Sequence, residues 1–194
     1  MNTKSFYDSV RADLFKGKIS SKQFEGMEAV FPEYERLCVN DLRKLAYIFA
    51  TIYHETSKTI QPIAEYGKGK GYDYGKKLRM NRTTYLVPDK LYYGRGMIQL
   101  TWWENYKNMG KILGLPLLEQ PELLLTMDVS IKVAFEGMLK GKSSFGDFTG
   151  KSLENYFTKD KTDPLNARKI INGMDKAELI KGYYDKFYKA LTAE

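Results

Sequence analysis

The hydrophobic periodicity of this 194-residue chain breaks once at length, between about Ser57 and Tyr92. Helical spacing is legible on both sides, but inside the break Gly67, Gly69, Gly71 and Gly75 alternate with lysines and tyrosines and no apolar face repeats. A stretch that long without elements, inside a compact domain, is a functional loop or disorder. The flanks predict helices. Ser20-Ser21-Lys22-Gln23 has the form of a capping box opening a short helix that Pro32 ends. Asn40 is placed to cap a stronger one, where Leu42, Leu45, Ile48, Phe49, Ile52 and Tyr53 define one buried stripe. Glu55 falls about 90° from the centre of that stripe, at the rim of the core and near the helix end. Downstream, Thr101-x-x-Glu104 reads as a second capping box for a helix ending near Gly114. Asp128 reads as the cap of a helix carrying Val129, Val133, Phe135 and Met138 to Gly141. Ser152 to Phe157 suits a short helix, and Asp163-Pro164 opens another that stops at Gly173. Asp175-x-x-Glu178 opens the last, with Ile180, Tyr184, Phe187 and Leu191 along one face. The pattern predicts a mainly α chain with any strands short and confined to the 60s to 90s.

The length suits one domain over residues 1–194. An apolar fraction of 43% with 28% charged residues excludes wholesale disorder, and no apolar run approaches the roughly 18 residues of a membrane span. No apolar core follows Lys4, so no secretory signal is readable and cytoplasmic synthesis is expected. Cys38 is the one cysteine and His54 the one histidine, which precludes an internal disulfide and argues against a metal site of soft ligands. The net charge of +7 implies attraction to a polyanion: nucleic acid, an anionic membrane surface or the cell wall.

The chemistry concentrates in Tyr93-Gly94-Arg95-Gly96-Met97-Ile98-Gln99-Leu100, which runs into Thr101-Trp102-Trp103-Glu104-Asn105-Tyr106. Two glycines permit close backbone approach, an arginine and a glutamine offer planar hydrogen-bonding groups, and aromatics open a helix. That mix suits sugar better than phosphate. The Gly-Lys-Gly-Lys-Gly run at 67–71 lacks phosphate-loop spacing and no clear strand precedes it. Aromatics at helical spacing are more often core, so Trp103 and Tyr106 are expected to pack. Glycoside hydrolysis needs two differently housed carboxylates, and Glu55 beside apolar Ile52 and Glu65 on the loop near Lys68 and Lys70 form such a pair, although on sequence alone surface glutamates are more often simply solvated.

The stretch from Tyr93 resembles the signature of the family 19 glycoside hydrolases, the plant-type chitinases and related bacteriophage endolysins that cut peptidoglycan. Met97 stands where proline is usual. The resemblance extends over about residues 40–190 through His54-Glu55-Thr56 at a helix end and Arg168-x-x-Ile171-Asn172-Gly173. It implies a lysozyme-like, two-lobed helical domain whose Gly/Lys/Tyr-rich segment is an active-site loop, with no separate cell-wall-binding domain. It also implies Glu55 as general acid, Glu65 as second carboxylate by analogy with the endolysin branch, and Thr101 as a holder of the attacking water. Gln99, Asn105, Arg168 and Asn172 are implied at the sugar cleft, with Arg95 among the contacts and Tyr93 and Trp102 stacking on sugar faces. The mechanism implied is inverting, without metal or cofactor.

Met174-Asp175-Lys176-Ala177 departs from the glycine, glutamate and cysteine of the plant form and resembles the endolysin branch. The implied role is therefore a monomeric endolysin that acts on peptidoglycan glycan strands after release, with a chitinase of the same fold as the alternative. Other classes compete. A nucleic-acid binder would use the loop, and a nucleic-acid partner is not expected. A membrane-disrupting protein would use the basic C-terminal helix against an anionic outer membrane, although its apolar stripe equally suits a docked core helix. Thr101 likewise has two readings, helix cap and water holder.

Overall fold

The computed structural model describes residues 2–37, 39–86, 89–140 and 147–194. Among these, the helices are α1 (Thr3–Asp13), α2 (Ser21–Glu28), α3 (Val30–Arg36), α4 (Leu42–Glu55), α5 (Trp103–Leu113), α6 (Met127–Met138) and α7 (Ala177–Leu191). The expected strands are two short pieces, β1 (Ile63–Ala64) and β2 (Arg95–Gly96), paired antiparallel with Ile63 opposite Gly96. Both ends of the long loop are thereby tied together. The lone Cys38 and the expected helix stop at Gly141 lie outside the described residues.

The core is built on α4. Every residue from Leu45 to Tyr53 is buried, so the single stripe read from the sequence is corrected to burial on all faces. Small residues explain the difference: Ala46, Ala50 and Thr51 occupy the faces between the large side chains and let neighbouring helices approach. Phe49 stacks on Phe187 of α7 with ring centres 5.3 Å apart and meets Phe31 of α3 edge-on at 5.4 Å. Ile180, Tyr184, Phe187 and Leu191 are all buried. The last helix is thus docked, and the apolar face a membrane-lying helix would need is occupied by the core.

Several caps differ from expectation. The Ser20–Gln23 box forms, but Pro32 sits in the first turn of α3, where its missing N–H leaves no intrahelical bond unmade. The cap of α4 is Asp41, whose carboxylate accepts from Arg43 N, while Asn40 takes a left-handed φ of 47° just before it. Asp128 lies inside α6 and pairs with Lys132 one turn on, with Thr126 at the cap position. Asp175 is displaced from the start of α7 by Lys176 in a left-handed conformation. The segments from Ser152 and Asp163 form 3-10 turns, Leu153–Asn155 and Asn166–Ile170.

Candidate active site

Glu55 ends α4, the helix on which the core is built, and opens into a cleft of about 470 Å³. Across the cleft the Asn166–Ile170 turn contributes Arg168, whose Nη1 donates to Glu55 Oε1 at 2.7 Å. The side chains of this pair are 3% and 15% exposed, so it is largely shielded from solvent. Arg168 Nε donates in turn to the carbonyl of Asp175 at 2.8 Å. The expectation that Ile52 sets the surroundings of Glu55 is corrected, because a guanidinium faces it from a segment 113 residues away.

Glu65 follows β1 and has different partners from the loop lysines expected. Its Oε1 accepts the hydroxyl of Tyr74 at 3.0 Å and its Oε2 accepts the N–H of Gly94 at 3.1 Å. Gly94 earns its place sterically, since a Cβ there would lie 2.8 Å from Gln99 Oε1 and 3.4 Å from Thr101 Oγ1. Glu65, Gln99 and Thr101 therefore surround one residue without a side chain.

Thr101 does not cap α5. Its hydroxyl donates to the carbonyl of Gln99 at 2.8 Å, Trp102 takes the cap position, and Glu104 accepts instead from Met80 N on the loop. The physical reason is the backbone: Gln99 at φ 53° and Trp102 at φ 78° turn the chain sharply before the helix, which takes Thr101 out of cap geometry. Such conformations cost about 1–3 kcal/mol each for side-chain-bearing residues and concentrate at functional sites. The result brings Gln99, Thr101, Trp102 and Asn105 to the cleft wall, with Asn172 and Ile171 opposite. Gln99 is anchored by donating to the carbonyls of Ile63 and Gly96, and Asn105 by donating to that of Thr101.

Three expected sugar contacts do not line the cleft: Arg168, which is buried and turned to Glu55, and Tyr93 and Arg95. Tyr93 and Arg95 are 8% and 2% exposed and face inward, the guanidinium lying 3.6 Å from the centre of the Tyr93 ring. Arg95 Nη1 donates to Leu91 O and Tyr106 Oη, and Tyr106 donates to Tyr93 O. They buttress the wall that carries Gly94. Met97 is also structural: it is fully buried, and its N–H donates to Ser130 Oγ, a bond proline could not make.

Tyr72, Tyr74 and Phe148 line the cleft without having been singled out from the sequence. The signal for the tyrosines was their alternation with glycine in the loop; Phe148 had none. Burial, followed by the hydrogen bond to Glu65, pushes the Tyr74 phenol up and keeps it a donor. Burial pushes the imidazole of His54 down from its ordinary value, which favours the neutral ring beside Glu55. A larger cavity of about 750 Å³ lies between α3 and α6. There, Glu33, Asp128 and Glu154 are engaged by Arg36, Lys132 and Lys44; at the smaller cleft Glu55 is the lining carboxylate, and Glu65 is joined to the lining through the Tyr74 hydroxyl.

Comparison with known proteins gives a consistent picture. The sequence profile of the class I chitinases matches residues 20–143. An endochitinase of Arabidopsis thaliana is 31% identical over 141 residues, which is 69% of this chain and 45% of that protein. Inactive chitinase-like protein 1 of Hevea brasiliensis is 32% identical over 121 residues, 57% of this chain and 38% of that protein. The chain thus spans less than half the length of these curated relatives. In three dimensions it is similar to a bacterial family 19 chitinase at a TM-score of 0.62 and 20% identity, covering 98% of this chain and 94% of the other.

Proposed function

The chain belongs to the family 19 glycoside hydrolases, and on that premise we propose that it hydrolyses the glycan strand of bacterial peptidoglycan with inversion. Glu55 protonates the leaving glycosidic oxygen, and Glu65 takes a proton from a water on the opposite face of the sugar. Arg168 fixes the direction of the Glu55 carboxyl through Oε1. Thr101 contributes as an acceptor: its own proton is committed to Gln99 O, so a water can donate one hydrogen to Thr101 Oγ1 and the other to Glu65. That leaves a lone pair on the water for the anomeric carbon. Gln99, Asn105 and Asn172 supply amides for sugar hydroxyls and N-acetyl groups, and Tyr72 and Trp102 supply ring faces.

The observation that carries the choice of polymer is charge on the loop beside the cleft. The loop that brings Tyr72 and Tyr74 to the site also carries exposed Lys68 and Lys70, together with Lys76 and Arg82 that share the single carboxylate of Asp73, in a chain of net charge +7. Peptidoglycan bears carboxylates on its lactyl and peptide groups; chitin is neutral. A basic lip attracts the first and gains nothing from the second. Release from cytoplasm to wall, as in an endolysin, belongs to this reading. Chitin is the second reading, supported by the similarity to an endochitinase.

Mass spectrometry of borohydride-reduced products from purified peptidoglycan and from chitin decides between them. New reducing ends from peptidoglycan are expected, and their identity as N-acetylmuramic acid or N-acetylglucosamine names the bond. Products from chitin alone would replace the first reading by the second.

A further inference from the structure

Glu65 is held from two sides, by Gly94 N–H on Oε2 and by the Tyr74 hydroxyl on Oε1. Tyr74 lines the cleft and reaches back to Glu65. Its ring stacks on Tyr72 with centres 5.1 Å apart and planes 7° from parallel, and it meets Trp102 edge-on at 5.3 Å. Tyr72 and Trp102 also line the cleft. Three rings therefore form one platform, and the polar end of the middle ring terminates on a carboxylate. The platform is anchored by an interlock of backbone: a Cβ on Gly75 would fall 2.0 Å from Gly69 O, so the turn carrying Tyr74 is seated directly on the Gly69 segment.

We propose that Tyr74 is a positioning residue that ties sugar stacking on the Tyr72–Tyr74–Trp102 platform to the aim of Glu65; this rests on the reading of Glu65 as the second carboxylate. An ionised carboxylate offers about four lone-pair sites. Tyr74 and Gly94 engage one on each oxygen, which fixes the plane of the group and leaves the others for water. A sugar ring on the platform restrains Tyr72 and Trp102 and, through them, the ring between. The hydroxyl of Tyr74 passes that restraint to Glu65. Binding energy from sugar units on the platform then appears in kcat, because it is realised where water is activated and not only where sugar is held.

Tyr74→Phe keeps the ring and the stack and deletes only the hydroxyl. Steady-state kinetics of wild type, Tyr74→Phe, Glu65→Gln and the double variant test the proposal, with melting temperature measured on each. The probes are uncross-linked peptidoglycan glycan chains and N-acetylglucosamine oligomers, each in a long and a short size fraction. A misplacement of about 1 Å can cost about 100-fold, and for the smaller loss of aim in Tyr74→Phe a fall of about 10-fold in kcat is expected, with KM and melting temperature unchanged. The advantage in kcat of long chains over short ones should vanish with the hydroxyl. In the Glu65→Gln background the second substitution should add nothing.

Wild-type kcat in Tyr74→Phe, or an undiminished further loss in the Glu65→Gln background, overturns the proposal, the latter by showing that Tyr74 acts independently of Glu65. Full activity in Glu65→Gln removes the second-carboxylate reading and the positioning role with it. A wild-type protein that cleaves neither polymer removes the catalytic reading. Each failure is read from a different preparation, so the causes are distinguishable.

Discussion

The two carboxylates proposed for the reaction, Glu55 lining the cleft and Glu65 tied to it through Tyr74, are supported by opposite kinds of structure. Glu55 is the last residue of a helix buried on all faces, and its partner Arg168 comes from a turn packed into the same body. Glu65 stands at the mouth of a glycine-rich loop and is held by a tyrosine from that loop and by a backbone N–H. On the helical side, catalytic geometry and global stability share the same contacts. On the loop side they are separable, since residues 61–84 place no side chain in the hydrophobic core, which takes only Ile60, Tyr85 and Tyr92 from the flanks of the loop. A damaged helical side should therefore cost folding and catalysis together, and a damaged loop catalysis alone.

The largest effect is expected from Glu55→Gln, which keeps size and hydrogen bonding to Arg168 but cannot deliver a proton. Hydrolysis should fall by about 10²- to 10⁴-fold, and because the neutral amide leaves the charge of Arg168 uncompensated at 3% exposure, the melting temperature should fall as well while the fold is kept. Retention of more than about a tenth of activity removes Glu55 from the acid role. Arg168→Met comes next, because it strands a carboxylate that is 15% exposed. Breaking such a pair costs about 3 kcal/mol, which at this chain length lowers the melting temperature by about 6–12 °C, and activity should fall with it. An unchanged melting temperature would dissolve the contrast, since the helical side would then not depend on its ion pair. Gly75→Ala attacks the loop side by forcing Gly69 and Gly75 apart. A misplacement of about 1 Å can cost up to about 100-fold, so a loss of about 10- to 100-fold is expected, without a drop in the unfolding transition of the body. Cooperative unfolding at lower temperature in this variant would show that loop and body are one unit.

The same contrast governs what the sequence could say. The positions of α2 and α4 to α7, the docking of α7 and the rim placement of Glu55 follow from apolar spacing, because core packing enforces that spacing, whereas neither α1 nor the restart of the chain as α3 around Pro32 is read from it. The caps were less legible: Asp41 in place of Asn40, Thr126 in place of Asp128 and Trp102 in place of Thr101 are choices among polar or strained alternatives that spacing does not rank. The family resemblance puts Arg168 at the sugar cleft, but neither it nor periodicity pairs Arg168 with Glu55, which 113 residues separate from it. Tyr93 and Arg95 show the limit of a motif. They belong to the diagnostic stretch, yet they face inward and serve the wall rather than the cleft. A motif marks residues that a site requires and does not separate those that touch substrate from those that hold the wall behind it.

Thr101→Val carries the smallest effect and isolates one role. The hydroxyl is not a helix cap, so its removal leaves the start of α5 as it was, including the bond from Asn105 to the Thr101 carbonyl. What is lost is the donor to Gln99 O, about 1 kcal/mol for a single hydrogen bond, and the acceptor for water. If the hydroxyl only braces the turn, stability falls by that amount and turnover per folded molecule stays the same. If it orients the attacking water with Glu65, turnover falls as well, by about 10-fold for one hydrogen bond that acts on the transition state. We expect both, with Thr101→Ser close to wild type because it restores donor and acceptor together. Melting temperature and product release measured on the same Thr101→Val preparation separate the cases. A destabilised enzyme at full turnover would leave Glu65 to position the water without Thr101, and the loop side of the cleft would then rest on Tyr74 and Gly94 alone.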